Sequence, residues 1–209
     1  MRAGVESREH ALIVAFDGIV ADTPALRQRA LSDAFGVEGV QAPHDDIGAA
    51  LCGRTLGEAA RHCLESLART AGGLIDETLA DLVALRAARL LDARLSQGAV
   101  LAPQAAEWIT RRAAAGRRIA LRADSDRRQV AGILQLAGLE HHIGLLVCGD
   151  DAQGASRTVG SALHRGWARL DQRLRALGHD ASARTAFEAC PRAAQAARPY
   201  ANEVLGALE

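Results

Sequence analysis

Four short apolar runs in this chain each give way to an acidic residue. Ala11-Leu12-Ile13-Val14-Ala15-Phe16 ends at Asp17-Gly18, and Arg118 to Arg122 ends at Ala123-Asp124-Ser125. Ile143 to Cys148 ends at Gly149-Asp150-Asp151, and Arg184 to Phe187 ends at Glu188-Ala189. Carboxylates gathered in one place can move protons or hold a divalent cation. Any one Asp or Gly after an apolar run is an ordinary strand-to-loop turn; four acidic ends point to a shared site. Asp17 is the candidate acid/base. Gly18, Asp124, Ser125 and Arg54 are candidate ligand contacts, and Glu188 and Asp150 are the weaker candidates for a metal. Each has a structural reading beside the functional one. Asp17 can cap the loop before Gly18, Arg54 can sit exposed at a helix start, Glu188 can form a turn or an ion pair, and Asp150 can cap a turn.

Other reactive residue types offer less. The adjacent pair His141-His142 does not suit one metal ion, because neighbours along a chain do not normally chelate together. Cys52, Cys63, Cys148 and Cys190 are widely spaced without a C-x-x-C pair, so buried free thiols are expected. All 25 basic residues are arginine, which excludes any chemistry that needs a lysine ammonium. They balance 25 acidic residues, which argues against a nucleic-acid or anionic-membrane surface. The pairs Arg111-Arg112, Arg117-Arg118 and Arg127-Arg128 read as a solvated rim. With no charged-then-apolar leader and no apolar run near the ~18 residues of a membrane span, a cytoplasmic setting is expected.

The elements that must position these residues follow from periodicity. The apolar run at 11–16 is the pattern of a buried parallel strand. From Pro24 to about Gln97 the sequence is helical. Thr23 is the expected cap, Pro24 lies just inside the first helix, and further helices cover roughly 55–70 and 76–95. After Gly98, helices at about 103–115, 126–137, 158–177 and 191–198 alternate with strands at 118–122, 143–148 and 184–187. That alternation predicts right-handed crossovers and a doubly wound, Rossmann-like parallel α/β sheet. Its ligand site lies at the carboxyl ends of the strands. The expected division is a core of 1–22 and 98–209 with a helical cap, 23–97, inserted after the first strand.

Five short motifs in order carry a resemblance. Val14-Ala15-Phe16-Asp17-Gly18-Ile19-Val20-Ala21-Asp22-Thr23, Gly53-Arg54-Thr55, Ile119-Ala120-Leu121 with Asp124-Ser125, Val147-Cys148-Gly149-Asp150-Asp151 and Ala186-Phe187-Glu188 together resemble the haloacid dehalogenase superfamily. The branch resembled is that of β-phosphoglucomutase-like and sugar-phosphate phosphatases. The resemblance implies five catalytic groups. Its nucleophilic aspartate falls on Ala15, which can neither attack phosphorus nor bind magnesium. Its acid/base aspartate is kept as Asp17. Its phosphate-binding Ser or Thr falls on Ala123, with Ser125 close by. Its lysine falls in Gly154-Ala155-Ser156, with Arg157 as a poor substitute. Of its paired metal carboxylates Glu188 remains, beside Ala189.

Phosphoryl transfer depends on positioning and on neutralising negative charge. Loss of a nucleophile alone costs on the order of 10⁴- to 10⁶-fold in rate. The expectation is therefore a catalytically impaired member, a pseudophosphatase that binds a protein partner or a phosphorylated small molecule and needs no cofactor. The alternative is an active phosphatase of small sugar phosphates, with a site rebuilt around Asp17, Ser125, Asp150 and Glu188, which would require Mg²⁺. Relatives of this branch continue into a further strand and a last helix. Here Arg198-Pro199-Tyr200 leads to a short helical tail. The edge so exposed would be covered by the helix at 158–177, with Trp167, or by a second subunit in a homodimer.

Overall fold

The computed structural model describes residues 10–72, 74, 76–97, 101–102, 104–152 and 162–206. The stretch Gly154-Ala155-Ser156 with Arg157, as well as Gly98 and Pro103, lies outside the described residues. The chain forms a five-stranded parallel sheet in the order β3-β2-β1-β4-β5. Its strands are β1 (Ala11–Ala15), β2 (Arg118–Arg122), β3 (Ile143–Val147), β4 (Arg184–Phe187) and β5 (Glu203–Leu205). β1 is central and apolar on both faces, because helices cover the sheet from both sides.

On one face α5 (Ala105–Ala114) and α6 (Arg127–Leu136) bury Trp108, Ile109 and Val130 against Val14, Leu121 and Phe187. On the other, α7 (Ala162–Ala176) and α8 (Pro191–Ala197) bury Trp167, Leu170 and Ala193 against Ile13, Ala120 and Ala186. Both tryptophans are internal. Trp108 meets Phe187 edge-on at 5.2 Å, and Trp167 stacks on Tyr200 at 5.8 Å.

Between β1 and α5 the chain forms α1 (Thr23–Val37), α2 (His44–Leu51), α3 (Leu56–Ala71) and α4 (Glu77–Leu95). These four helices enclose their own core of Leu31, Phe35, Ile47, Ala60 and Val83. α3 begins at a capping box in which Thr55 and Glu58 each bond the other's backbone N–H, and Asp76 caps α4. The two chain crossings between sheet and cap hold each other: Ala21 bridges Leu101, and the Ala102 N–H donates to the Val20 carbonyl at 2.9 Å.

Three expectations are corrected. The chain's end is a strand, β5, pairing with β4, in place of the expected short helical tail. Three residues are too few to show a period of two. α2 falls within the stretch read as helical and is carried by burying Ile47, Ala50 and Leu51. Thr23 is the first helical residue, not the cap; its hydroxyl is drawn instead to Asp17. Finally, only Cys63 and Cys148 are buried free thiols. Cys52 and Cys190, 138 residues apart, are joined in a disulfide that forms only because the cap folds back over the core. Among the described residues no helix is long and apolar enough to cross a membrane.

Candidate functional site

The carboxyl ends of β1, β2 and β4 converge beneath the cap. The cleft there is lined by Asp17, Arg122, Asp124 and Glu188 from the sheet side, Arg27, Gln28 and Leu51 from the cap, and both disulfide-bonded cysteines. It encloses about 210 Å³.

Asp17 is buried and fully engaged. One oxygen accepts from the Thr23 hydroxyl at 2.5 Å and the Ser125 hydroxyl at 2.6 Å. The other accepts from the backbone N–H groups of Asp124 at 2.7 Å and Ser125 at 3.1 Å. Arg27 lies 4.0 Å away. Burial pushes this carboxyl up, but the Arg27 charge and the hydrogen bonds outweigh it and hold Asp17 below the usual range. It is a staple between the β1 loop, the β2 loop and the cap, with no proton to give and no lone pair to spare. The backbone it caps is the loop after β2, not the loop before Gly18.

Arg122 is the residue that sequence reasoning missed. It ends β2 in register with Ala15, and its side chain is 4% exposed. Its Nε and Nη2 donate to the two oxygens of Glu188 at 2.7 and 2.9 Å, and its Nη1 to Asp124 at 2.6 Å. Burial opposes its charge, yet Asp124 and Glu188 more than compensate and hold the guanidinium protonated. A signal existed: an arginine ending an apolar strand among acidic strand ends, in a chain without lysine. Arg27 was missed too. It is buried on α1, donates to the Arg54 carbonyl at 2.6 Å, and leaves its Nε without a partner.

The other candidates separate. Arg54 does not line the cleft; it donates to Ala50 at 2.9 Å and faces a groove shared with His62 and Arg192. Asp150 accepts from the Arg127 N–H at 3.0 Å, and Asp151 pairs with the Arg127 side chain, so the third acidic end answers Arg127 and not the cleft. Cys148, Asp150 and Asp151 approach one another, but Asp151 is spent on the Arg127 side chain and on the Cys148 N–H at 2.9 Å.

Gly18 has a backbone role. Its φ is +88°, its N–H donates to the Ala21 carbonyl at 2.8 Å, and an added Cβ would lie 2.7 Å from the Ala189 Cβ. Gly18→Ala is expected to cost about 1–3 kcal/mol, measured by urea unfolding; a change below about 0.5 kcal/mol would remove this explanation of the glycine.

A magnesium ion does not fit these residues. Mg²⁺ demands oxygen ligands in near-octahedral array. Both oxygens of Glu188 and one of Asp124 are taken by Arg122, Asp17 is saturated, and Ala15 and Ala189 offer none. Arg122 supplies the cation itself. The charged residues of the cleft, three carboxylates and two guanidinium groups, sum to one net negative charge.

No family model and no curated protein matches the chain. Solved structures similar to it include a predicted phosphoglycolate phosphatase from Haemophilus somnus, at 13% identity and a TM-score of 0.75, covering 96% of this chain and 86% of the other. CbbY from Rhodobacter sphaeroides, in complex with phosphate, aligns at 17% identity and 0.70 over 96% and 95%. A hydrolase from Pseudomonas syringae aligns at 18% and 0.72 over 94% and 84%.

Proposed function

With the haloacid dehalogenase-like fold as premise, we propose that this chain is a binding protein on that fold which does not transfer phosphoryl groups. The observation that carries the reading is the buried Arg122 guanidinium locked between Glu188 and Asp124. It takes up the carboxylates a metal would need, while Ala15 leaves no nucleophile. A phosphate dianion entering the cleft would meet net negative charge, while Arg122 is spent on Glu188 and Asp124 and Arg27 lies beside Asp17. The occupant favoured is a small neutral or cationic polar molecule, or a protein segment of that character.

A second reading rests on a different observation. Among the similar structures are a predicted phosphoglycolate phosphatase, a hydrolase and a complex with phosphate, and taken alone they favour an active phosphoric monoester hydrolase. In that case Arg122 would replace the metal as the neutralising charge, and Asp17 would activate water.

Phosphate release from a panel of sugar phosphates and an aryl phosphate, with Mg²⁺ or EDTA, separates the two. The expected result is no turnover above an Asp17→Asn control in either condition. Turnover that disappears in the control would establish the hydrolase, and its response to EDTA would say whether Arg122 or a metal serves it.

A further inference from the structure

The disulfide occupies a telling place. Cys52 ends α2 in the cap, and Cys190 precedes α8 in the core, where its sulfur also accepts from the Ala193 N–H at 3.4 Å. Both residues are half-buried and line the cleft beside Asp17 and Glu188. The other side-chain ties between cap and core that line up along this seam are reversible. Arg128 and Gln129 bond Asp92, Arg165 reaches Glu58 at 3.4 Å, and Thr23 and Arg27 answer Asp17. The Arg128–Asp92 and Arg165–Glu58 pairs are partly exposed and break and re-form readily, whereas the buried Asp17 contacts lie at the β1–α1 crossing about which the cap would turn. A cap joined to its core by two adjacent crossings can swing about them; a covalent tie at a third point, far from the crossings along the chain, removes that freedom.

We propose that Cys52 and Cys190 form a redox latch, which holds the cap closed over the cleft when oxidised and frees it to open when reduced by a dithiol. The inference does not depend on which ligand the cleft takes. In the exchange, one thiolate of the dithiol attacks a sulfur of the pair, forming a mixed disulfide and breaking the Cys52–Cys190 bond. The second thiolate then displaces the remaining protein sulfur. The dithiol leaves as its own disulfide, and Cys52 and Cys190 gain the two electrons and two protons it gives up. The other cysteines stay out of the exchange. Burial pushes the thiols of Cys63 and Cys148 up to about 11 and 12, so neither supplies a thiolate near neutrality.

The test uses the full chain in three forms: equilibrated with oxidised glutathione, reduced with dithiothreitol, and carrying Cys52→Ser with Cys190→Ser. Maleimide labelling after unfolding counts free thiols, and amide exchange at residues 16–23 and at the start of α3 reports cap opening. Two labels are expected for the oxidised form and four for the reduced. Exchange at those amides should rise at least tenfold on reduction, and the double variant should match the reduced form with or without dithiothreitol. Four labels on the oxidised sample would overturn the proposal, as would equal exchange in oxidised and reduced wild type. The reduced wild type decides the matter even if the double variant folds poorly.

Discussion

Arg122→Ala is expected to destabilise the protein by about 3–5 kcal/mol, because it strands a buried carboxylate. Glu188 is 1% exposed at its side chain and spends both oxygens on Arg122. Without the guanidinium it must stay ionised in a poorly solvated place or take up a proton. Asp124, more open to solvent, suffers less. Such a loss is a large part of the ~5–15 kcal/mol that holds a typical domain folded. Urea unfolding of wild type, Arg122→Ala and Arg122→Met with Glu188→Leu measures it. The double variant should recover most of the deficit, since a buried pair can be exchanged for apolar packing at little cost. A loss under about 1 kcal/mol in Arg122→Ala would mean that Glu188 finds water or another partner, and the assignment of Arg122 as the built-in cation would fall. Arg122→Lys should lie between, as an ammonium keeps the charge but not the two-pronged contact.

The second large effect is acid sensitivity through Asp17. Its carboxyl is held below its ordinary value in the folded state, where burial is outweighed by Arg27 and by hydrogen bonds from Ser125, Thr23 and the Asp124 backbone. A group whose folded value is depressed binds protons more readily when unfolded. It therefore contributes stability above the unfolded carboxyl value of about 3.9, and that contribution is lost as pH falls through the folded value. Asp17→Asn should cost about 2–4 kcal/mol near neutrality, as charge-assisted hydrogen bonds weaken and Arg27 loses its counter-charge. The penalty should shrink as pH drops below about 4, where the unfolded wild type begins to bind the proton that folded Asp17 still excludes. Unfolding curves at several pH values check both statements. A penalty constant from neutrality down to the acid limit would show that Asp17 does not carry the acid sensitivity.

Much of this protein was legible in the order of its residues. Apolar runs of four to six residues, punctuated by Asp and Gly and separated by helix-length stretches, dictate parallel strands with crossovers. β2 and β4 lie where those runs stand, and β1 and β3 each end one residue earlier. Local chemistry also set helix starts such as the Thr55–Glu58 box. The convergence of Asp17, Asp124 and Glu188 followed from the rule that parallel strands present their carboxyl ends together. β5 escaped, because so short an element gains its stability from the surface it packs on, which no local window contains.

What only the tertiary structure decided is which charges meet. Arg122 reads in sequence as a strand residue like Arg118, yet one ends in a buried triad with Glu188 and Asp124 while the other does not. The partners are 66 positions apart, and nothing in their types foretells the pairing. The same holds for Arg127, read as part of a solvated rim but tied to Asp151. It holds again for Cys52 and Cys190, which become neighbours only when α2 is brought down over the N-terminus of α8. Backbone periodicity is a local property, set by sterics and by alternation of polar and apolar side chains. Pairing of charges and sulfurs over a cleft is a property of two separate units laid against each other, and it exists only once they are.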